Sequence, residues 1–141
     1  MKRLFFTLFA ALTLFALNGC RHEASTPDLA VVPNPLSMQG GGRGVLLPES
    51  GDPAILTHVS HVLGPEEYIL DTRRGKVLLT AGSKAGLFYG RQTYAQILQQ
   101  VRAKGENLIP GFKIQDKPAF AYRGAHLDCS RHMFTIEEIK T

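Results

Sequence analysis

A helical pattern in the middle of the chain most constrains what it can fold into. Ser83 is a suitable N-cap, and Gly105 is a residue that commonly ends a helix. Between these two ends, apolar residues recur at helical spacing: Leu87, Tyr94, Leu98 and Val101. The pattern predicts a helix over residues 84–103 with one apolar face directed at a core.

Two glycines near the start of this helix indicate what it packs against. Gly86 and Gly90 are one turn apart, and each disfavours the helix by about 1 kcal/mol relative to alanine. Glycine at such positions is typical of a helix that lies close to a neighbouring backbone. We expect that neighbour to be a sheet formed by the flanking strands.

Strand patterns stand on both sides of the helix. Apolar runs at residues 68–70 and 77–79 flank a turn that contains Gly75, which predicts a hairpin. Further strands are predicted at residues 45–47 and 109–114. The expected fold class is therefore α+β, a small sheet with the helix laid over one face.

Residues 52–63 carry a second helical pattern. Asp52 is a possible N-cap, Pro53 suits the first helical position, and apolar residues follow at Ile55, Val59, Val62 and Leu63. The prediction is a helix whose His58 and His61 share a face. Because no third ligand is close in the sequence, we interpret both as surface histidines and not as a metal site.

The first residues form a secretion signal. Lys2 and Arg3 precede an uncharged stretch at residues 4–17, which is too short for a membrane-spanning helix. The stretch leads to Cys20 in a context that resembles a bacterial lipobox. The sequence predicts a lipoprotein signal peptide over residues 1–19, lipidation of Cys20 and a tether over 20–28. An ordinary secretory signal with an incidental cysteine is the alternative.

Cleavage at this site would change the charge. The chain carries 16 Lys+Arg against 12 Asp+Glu, and loss of Lys2 and Arg3 leaves 14 against 12. A net charge of +2 gives no support for a nucleic-acid partner. With Cys20 lipidated, Cys129 has no intrachain cysteine to pair with, so stability has to come from the core.

The last residues announce a helix. Thr135 and Glu138 fit a capping box, and Phe134 with Ile139 fits a hydrophobic staple. An extended pattern at residues 122–130 precedes them. A strand followed by a newly capped helix is half of a βαβ unit, so we expect the 141-residue chain to be cut from something longer.

Two residue clusters near this end invite a chemical role. His126, Cys129 and His132 have the spacing H-x₂-C-x₂-H, but along an extended strand they lie too far apart for one zinc ion. Asp128 lies late in the predicted strand, and Arg131 and His132 follow it. We interpret them as an ion-pair and capping network, with direct substrate contact as the alternative.

Five motifs stand in order along the chain: AGLFYGRQT at 85–93, IP at 109–110, DKP at 116–118, YRG at 122–124 and LDCSRHMF at 127–134. Together they resemble glycoside hydrolase family 20, the β-N-acetylhexosaminidases. The resemblance implies a small α/β domain over residues 29–118. Residues 119–141 would be the first strand and the start of the first helix of a truncated (β/α)₈ barrel.

The resemblance also implies a function. Members remove terminal β-linked N-acetylglucosamine or N-acetylgalactosamine by a retaining mechanism in which the sugar's own acetamido oxygen attacks. Arg123 matches the family's arginine that grips sugar hydroxyls; an arginine paired to a barrel carboxylate is the alternative. The catalytic Asp-Glu pair would lie beyond Thr141, so the chain alone is expected to be inactive. No cofactor is implied.

The expected partners are oligosaccharides or glycoconjugates that end in N-acetylhexosamine, together with a membrane reached through Cys20. The expected location is the bacterial cell envelope, on the periplasmic or outer-membrane face. A non-catalytic, lipid-anchored carbohydrate-binding or scaffolding domain is the alternative function. Residues 119–141 argue against that alternative, because a stand-alone module has no use for one unpaired barrel strand.

Overall fold

The computed structural model describes residues 28–126 and 133–140. The signal segment with Cys20, and the group Asp128, Cys129, Arg131 and His132, lie outside the described residues. In chain order the elements are β1 (Ser37–Gly40), β2 (Val45–Leu46), β3 (Ile55–Val59), β4 (Tyr68–Asp71), β5 (Val77–Ala81), α1 (Lys84–Ala103), β6 (Leu108–Ile109), β7 (Phe112–Asp116) and α2 (Ile136–Lys140).

Five strands form one mixed sheet in the order β1-β7-β4-β5-β3. The β3–β5 pair is parallel and the other neighbours are antiparallel. Strands β2 and β6 form a separate antiparallel pair. Helix α1 lies over β4 and β5, so the expected sheet-plus-helix class is confirmed for the described part of the chain.

The core lies between α1 and the face of the sheet beneath it. Burial alternates along β4 and β5, as it does for strands with one covered face. The largest fully buried side chains come from the five-stranded sheet, from α1 and from β6: Tyr68, Leu70, Leu79, Ile97, Ile109, Phe112 and Ile114. The central strands and the helix therefore share one hydrophobic core.

Helix α1 begins and ends as predicted. The Ser83 side chain accepts a hydrogen bond from the Ala85 N–H, which caps the first turn. At the other end the Gly105 N–H donates to the Arg102 carbonyl and the Glu106 N–H to the Val101 carbonyl, in a Schellman arrangement. Gly105 has φ +70°, a conformation that side chains disfavour.

The two helix glycines do allow a close approach to the sheet. A methyl group on Gly86 would lie 2.6 Å from the Glu67 carbonyl oxygen, and one on Gly90 would overlap the Leu79 side chain. Glycine therefore lets α1 settle directly on β4 and β5.

The predicted hairpin is confirmed as β4 and β5. The strand predicted at residues 109–114 is divided in two, because Pro110 and Gly111 interrupt it between β6 and β7. Buried Thr72 stabilises the break: its hydroxyl donates to the Pro110 carbonyl (2.8 Å) and accepts from the Phe112 N–H (2.9 Å). The core residue Phe112 is thereby held at the start of β7.

The predicted helix over residues 52–63 is wrong. Residues Ile55–Val59 form strand β3, which pairs in parallel with β5 along its length. Three β-branched residues, Ile55, Thr57 and Val59, alternate on one face, and such residues favour a pleated strand. Val62, assigned to the helical stripe, is 93% exposed, and Asp52 forms an ion pair with Arg102 instead of capping a helix.

The capping box predicted near the end of the chain is confirmed. The Thr135 N–H donates to a Glu138 carboxylate oxygen (2.8 Å), and the Glu138 N–H donates to the Thr135 hydroxyl (3.3 Å). The short helix α2 follows, and all of its residues are exposed. Within residues 28–126 and 133–140, no helix is both long and apolar enough to cross a bilayer.

Candidate functional site

Arg123, the predicted sugar-contact residue, is held by two side chains of the α/β unit, the name used here for the five-stranded sheet, α1 and the loops between them. Its Nη2 lies 2.6 Å from Glu66 Oε1 and 2.9 Å from the Tyr89 hydroxyl, and its Nη1 lies 3.4 Å from Glu66 Oε2. Nη1 also donates to the Phe120 carbonyl. The guanidinium carbon lies 5.5 Å from the centre of the Tyr89 ring. We call Arg123, Glu66 and Tyr89 the Arg123 clasp.

Three separate elements supply the clasp. Glu66 precedes β4, and Tyr89 is in the second turn of α1. Arg123 lies in the irregular segment that follows β7. The Tyr89 hydroxyl also donates to Glu66 Oε1 (3.1 Å), so each member of the clasp is bonded to the other two. The clasp therefore connects the segment that follows β7 to α1 and to the residues just before β4.

The charges in the clasp stabilise one another. The hydrogen bond from Arg123 lowers the pKa of Glu66, and burial opposes this only in part. The hydrogen bond to Glu66 raises the pKa of Arg123. Both groups therefore stay ionised at neutral pH, and Glu66 is suited to hold a cation.

A cavity of about 440 Å³ adjoins the clasp. Its walls come from residues 32–36, from one side of α1 and from residues 116–120, with Tyr89 and Arg123 at one side. The Gln96 side chain fixes the first wall, because its amide accepts from the Val32 N–H (3.0 Å) and donates to the Val32 carbonyl (2.9 Å). The Leu36 N–H donates to Asp116 Oδ1 (3.1 Å), which connects the wall of residues 32–36 to the wall of residues 116–120.

A buried hydrogen-bond group forms the base of this cavity. The Tyr68 hydroxyl lies 2.6 Å from Thr93 Oγ1 and donates to Asp116 Oδ2 (3.1 Å). Burial raises the pKa of Tyr68 to about 12. The Tyr68 hydroxyl is therefore neutral near pH 7, and its hydrogen bonds fix the base of the cavity.

The described carboxyl groups with shifted pKa values are all shifted downward: Glu66, Glu67, Asp71 and Glu138. A glycosidase general acid needs the opposite shift, so that it still carries a proton near neutral pH. Glu138 is accounted for by the capping box, as expected from the sequence. Glu66 serves the clasp.

The structure brings one predicted site residue, Arg123, to the clasp and leaves the histidines apart from it. His58 lies on edge strand β3 and His61 in the following turn, so they do not share a helix face. His126 is exposed. Across residues 28–126 and 133–140, no group of three His, Cys, Asp or Glu side chains is arranged to hold a metal ion.

Sequence reasoning missed Glu66 and Tyr89 as partners of Arg123. Tyr89 lies off the apolar stripe of α1 and within the motif at residues 85–93. An aromatic residue at such a position indicates a contact outside the core, so Tyr89 could have been singled out from the sequence. Glu66 lies 57 residues from Arg123 in sequence. No local pattern connects two residues so far apart.

Comparison with known proteins identifies the fold just described. The sequence matches the family model described as "Glycosyl hydrolase family 20, domain 2" over residues 37–117, more than half of the chain. The chain belongs to glycoside hydrolase family 20. The match covers β1 to β7 with α1, and it includes Glu66 and Tyr89 but ends before Arg123.

Curated relatives agree. The chain is 41% identical over 83 residues to a beta-hexosaminidase of Porphyromonas gingivalis, covering 55% of this chain and 11% of that protein. It is 36% identical over 91 residues to a beta-hexosaminidase of Vibrio furnissii, covering 64% and 14%. The chain thus spans only a small part of the length of these two relatives.

Solved structures show the same fold. A "Glycoside Hydrolase Family 20 beta-N-Acetylglucosaminidase" matches with a TM-score of 0.59 at 31% identity, over 80% of this chain and 25% of that one. The N-acetyl-beta-hexosaminidase of Streptomyces plicatus, in complex with Thio-NAglucal, matches with a TM-score of 0.59 at 26% identity, over 86% and 31%.

Proposed function

We propose that this chain is the N-terminal, non-catalytic part of an exo-β-N-acetylhexosaminidase. In this proposal the complete enzyme removes terminal β-linked N-acetylglucosamine or N-acetylgalactosamine, and residues 119–141 begin its (β/α)₈ barrel. The observation that carries the proposal is the family 20 domain 2 match over residues 37–117. The domain matched is one part of a longer family architecture, and the curated relatives are several times longer than this chain.

The chemistry of the described carboxyls supports a non-catalytic role. Hydrolysis of a glycosidic bond needs an acid that is protonated before it acts. Glu66 is stabilised as an anion by Arg123, and Glu138 by the Thr135 cap. As the family resemblance implies, we assign the catalytic Asp-Glu pair to residues beyond Thr141 and name no catalytic residue in this chain.

Arg123 is the residue we assign to sugar contact in the complete enzyme. Its planar guanidinium can donate to two neighbouring hydroxyl groups at once, which suits the vicinal hydroxyls of a terminal sugar. In the retaining mechanism proposed here, the acetamido oxygen of that sugar attacks the anomeric carbon. The sugar chemistry is supported by the names of the relatives and by the Thio-NAglucal complex of the Streptomyces plicatus enzyme.

We further propose export and anchoring. Residues 1–19 would be removed as a signal peptide, and Cys20 would receive a lipid that holds the protein at a membrane of the cell envelope. Labelled palmitate should be incorporated by the natural chain and not by Cys20→Ser. Equal labelling of the two chains would contradict the anchor and favour an ordinary secretory signal.

One observation favours the non-catalytic carbohydrate-binding or scaffolding alternative. Residues 37–116 already form a sheet and helix with a shared core, which is what a self-contained module needs. The two functions differ in whether the reading frame continues beyond the codon for Thr141 into further βα units.

The experiment that tests the proposal is to sequence the source DNA past that codon and to express both products. We expect the longer product to hydrolyse an aryl N-acetylglucosaminide and the 141-residue chain, purified by the same steps, to release no aryl group. Turnover by the short chain would contradict the assignment of the acid beyond Thr141. A stop codon at that point would favour the non-catalytic module.

A further inference from the structure

The guanidinium of Arg123 is almost fully occupied by the clasp. An arginine has five N–H donors. Nη2 donates to Glu66 Oε1 and to the Tyr89 hydroxyl, while Nη1 donates to Glu66 Oε2 and to the Phe120 carbonyl. In the described structure this leaves the Nε–H outside the clasp. The two-hydroxyl grip of a sugar needs a pair of adjacent donors, so it requires the clasp to open.

The clasp joins an exposed segment of the chain to the sheet and helix. Residues 122–126 are exposed and form no regular structure, whereas Glu66 and Tyr89 belong to the α/β unit. The Arg123–Glu66 ion pair and the Tyr89 contact bridge the two parts. Phe120 lies between Arg123 and β7, and it also lines the adjoining cavity.

We propose that Glu66 and Tyr89 are positioning residues that latch Arg123, and with it the segment after β7, onto the α/β unit. The latch stands on the contacts of the clasp alone. Its functional consequence rests on the proposed function: an Arg123 that contacts sugar must first leave Glu66 and Tyr89. These two residues then set how readily Arg123 becomes available.

Trypsin gives a direct measurement of the latch. The protease takes the arginine before the cleaved bond into its own acidic pocket, so it can cut after Arg123 only when the guanidinium has left the clasp. The chain also offers an internal reference with the same residue pair. The Arg74–Gly75 bond lies in the exposed β4–β5 turn. Arg74 takes no part in the clasp, whereas Arg123, before the Arg123–Gly124 bond, does.

The experiment compares initial cleavage rates at these two bonds, read by mass spectrometry, in the natural chain, in Glu66→Gln and in Tyr89→Phe. We expect Glu66→Gln to raise the rate after Arg123, relative to the rate after Arg74, by about two- to fivefold, the range for an exposed ion pair. Tyr89→Phe should give a smaller increase, because only one of the two hydrogen bonds that it removes reaches Arg123, and the ring beneath the guanidinium is retained.

Two outcomes would overturn the latch. The ratio of the two rates would stay the same if Arg123 were already free in solution. A parallel rise at both bonds would mean that the substitution loosens the whole fold and does not act on Arg123 in particular. The thermal midpoint of each variant tests this separately, because a variant that keeps the fold intact leaves the midpoint unchanged. The assay contains no sugar, so its failure leaves the proposed function intact, and absence of hydrolysis in the longer product leaves the latch intact.

Discussion

Two regions of the molecule maintain their structure in different ways. In the unit formed by β4, β5, α1 and β7, side chains such as Leu70, Ile97 and Phe112 are fully buried. After residue 118 the described apolar side chains are exposed: Phe120 by 74%, Tyr122 by 88% and Met133 by 81%. The first region has a core, and the second shows polar contacts such as the Arg123 clasp and the Thr135–Glu138 cap.

Apolar burial and exposed polar contacts contribute very different amounts to the free energy of unfolding. Burial of a large apolar side chain contributes about 1.5–3 kcal/mol, whereas exposed ion pairs contribute little because water and salt screen them. Substitutions of one residue type should therefore have very different effects in the two regions.

The largest contrast is expected between two phenylalanines. Phe112→Ala should lower the free energy of unfolding by about 3–5 kcal/mol, because it leaves a cavity at the start of β7. Phe120→Ala, the matched control, should change it by less than about 0.5 kcal/mol. Urea unfolding followed by circular dichroism measures both. Similar losses for the two variants would show that residues after 118 share the core.

The sequence was sufficient where local pattern and tertiary contacts agree. Helix α1, its Ser83 cap, the hairpin of β4 and β5, and the Thr135–Glu138 cap are all specified by residues close together in the chain. The burial of Gly86 and Gly90 was also predictable, since two glycines in one helix have a cost that close packing explains.

The sequence was insufficient where distant residues decide. Strand β3 has apolar spacing compatible with a helix, and its pairing with β5, 22 residues away, makes it a strand. The interruption between β6 and β7 depends on Thr72, which lies 38 residues before Pro110. The Arg123 clasp joins three elements, so the motif identified the arginine but not the partners that occupy it.

A second contrast lies within the core, between two buried tyrosines. The Tyr68 hydroxyl is bonded to Thr93 and Asp116, whereas the Tyr94 hydroxyl has no hydrogen-bond partner among the described residues. Tyr68→Phe should cost about 1–3 kcal/mol, because it removes bonds and leaves buried polar atoms unpaired. Tyr94→Phe should be neutral or stabilising. Equal losses would contradict the role given to the Tyr68 hydroxyl.

The same tyrosines predict sensitivity to alkali. Burial raises the pKa of Tyr68 and of Tyr94 to about 12, above the ordinary value of 10.0. The unfolded chain then releases these protons at lower pH than the folded chain does. The contribution of the two protonated tyrosines to the free energy of unfolding is fully present below about pH 10 and is lost as the pH rises towards 12. Urea midpoints should fall over this range, and each Tyr→Phe variant should fall less steeply.

The smallest contrast compares two helix caps. Ser83 and Thr135 each accept a hydrogen bond from the backbone of the helix that follows, at 3.0 Å and 3.3 Å. Ser83→Ala should lower the free energy of unfolding by about 0.5–2 kcal/mol, because α1 unfolds together with the core. Thr135→Ala removes a bond of the same kind from the exposed five-residue helix α2, so the urea midpoint should be almost unchanged. The loss of α2 itself would appear in the amide signals of residues 136–140. A midpoint that fell equally for both caps would mean that α2 unfolds with the core, and it would remove the distinction between the two regions.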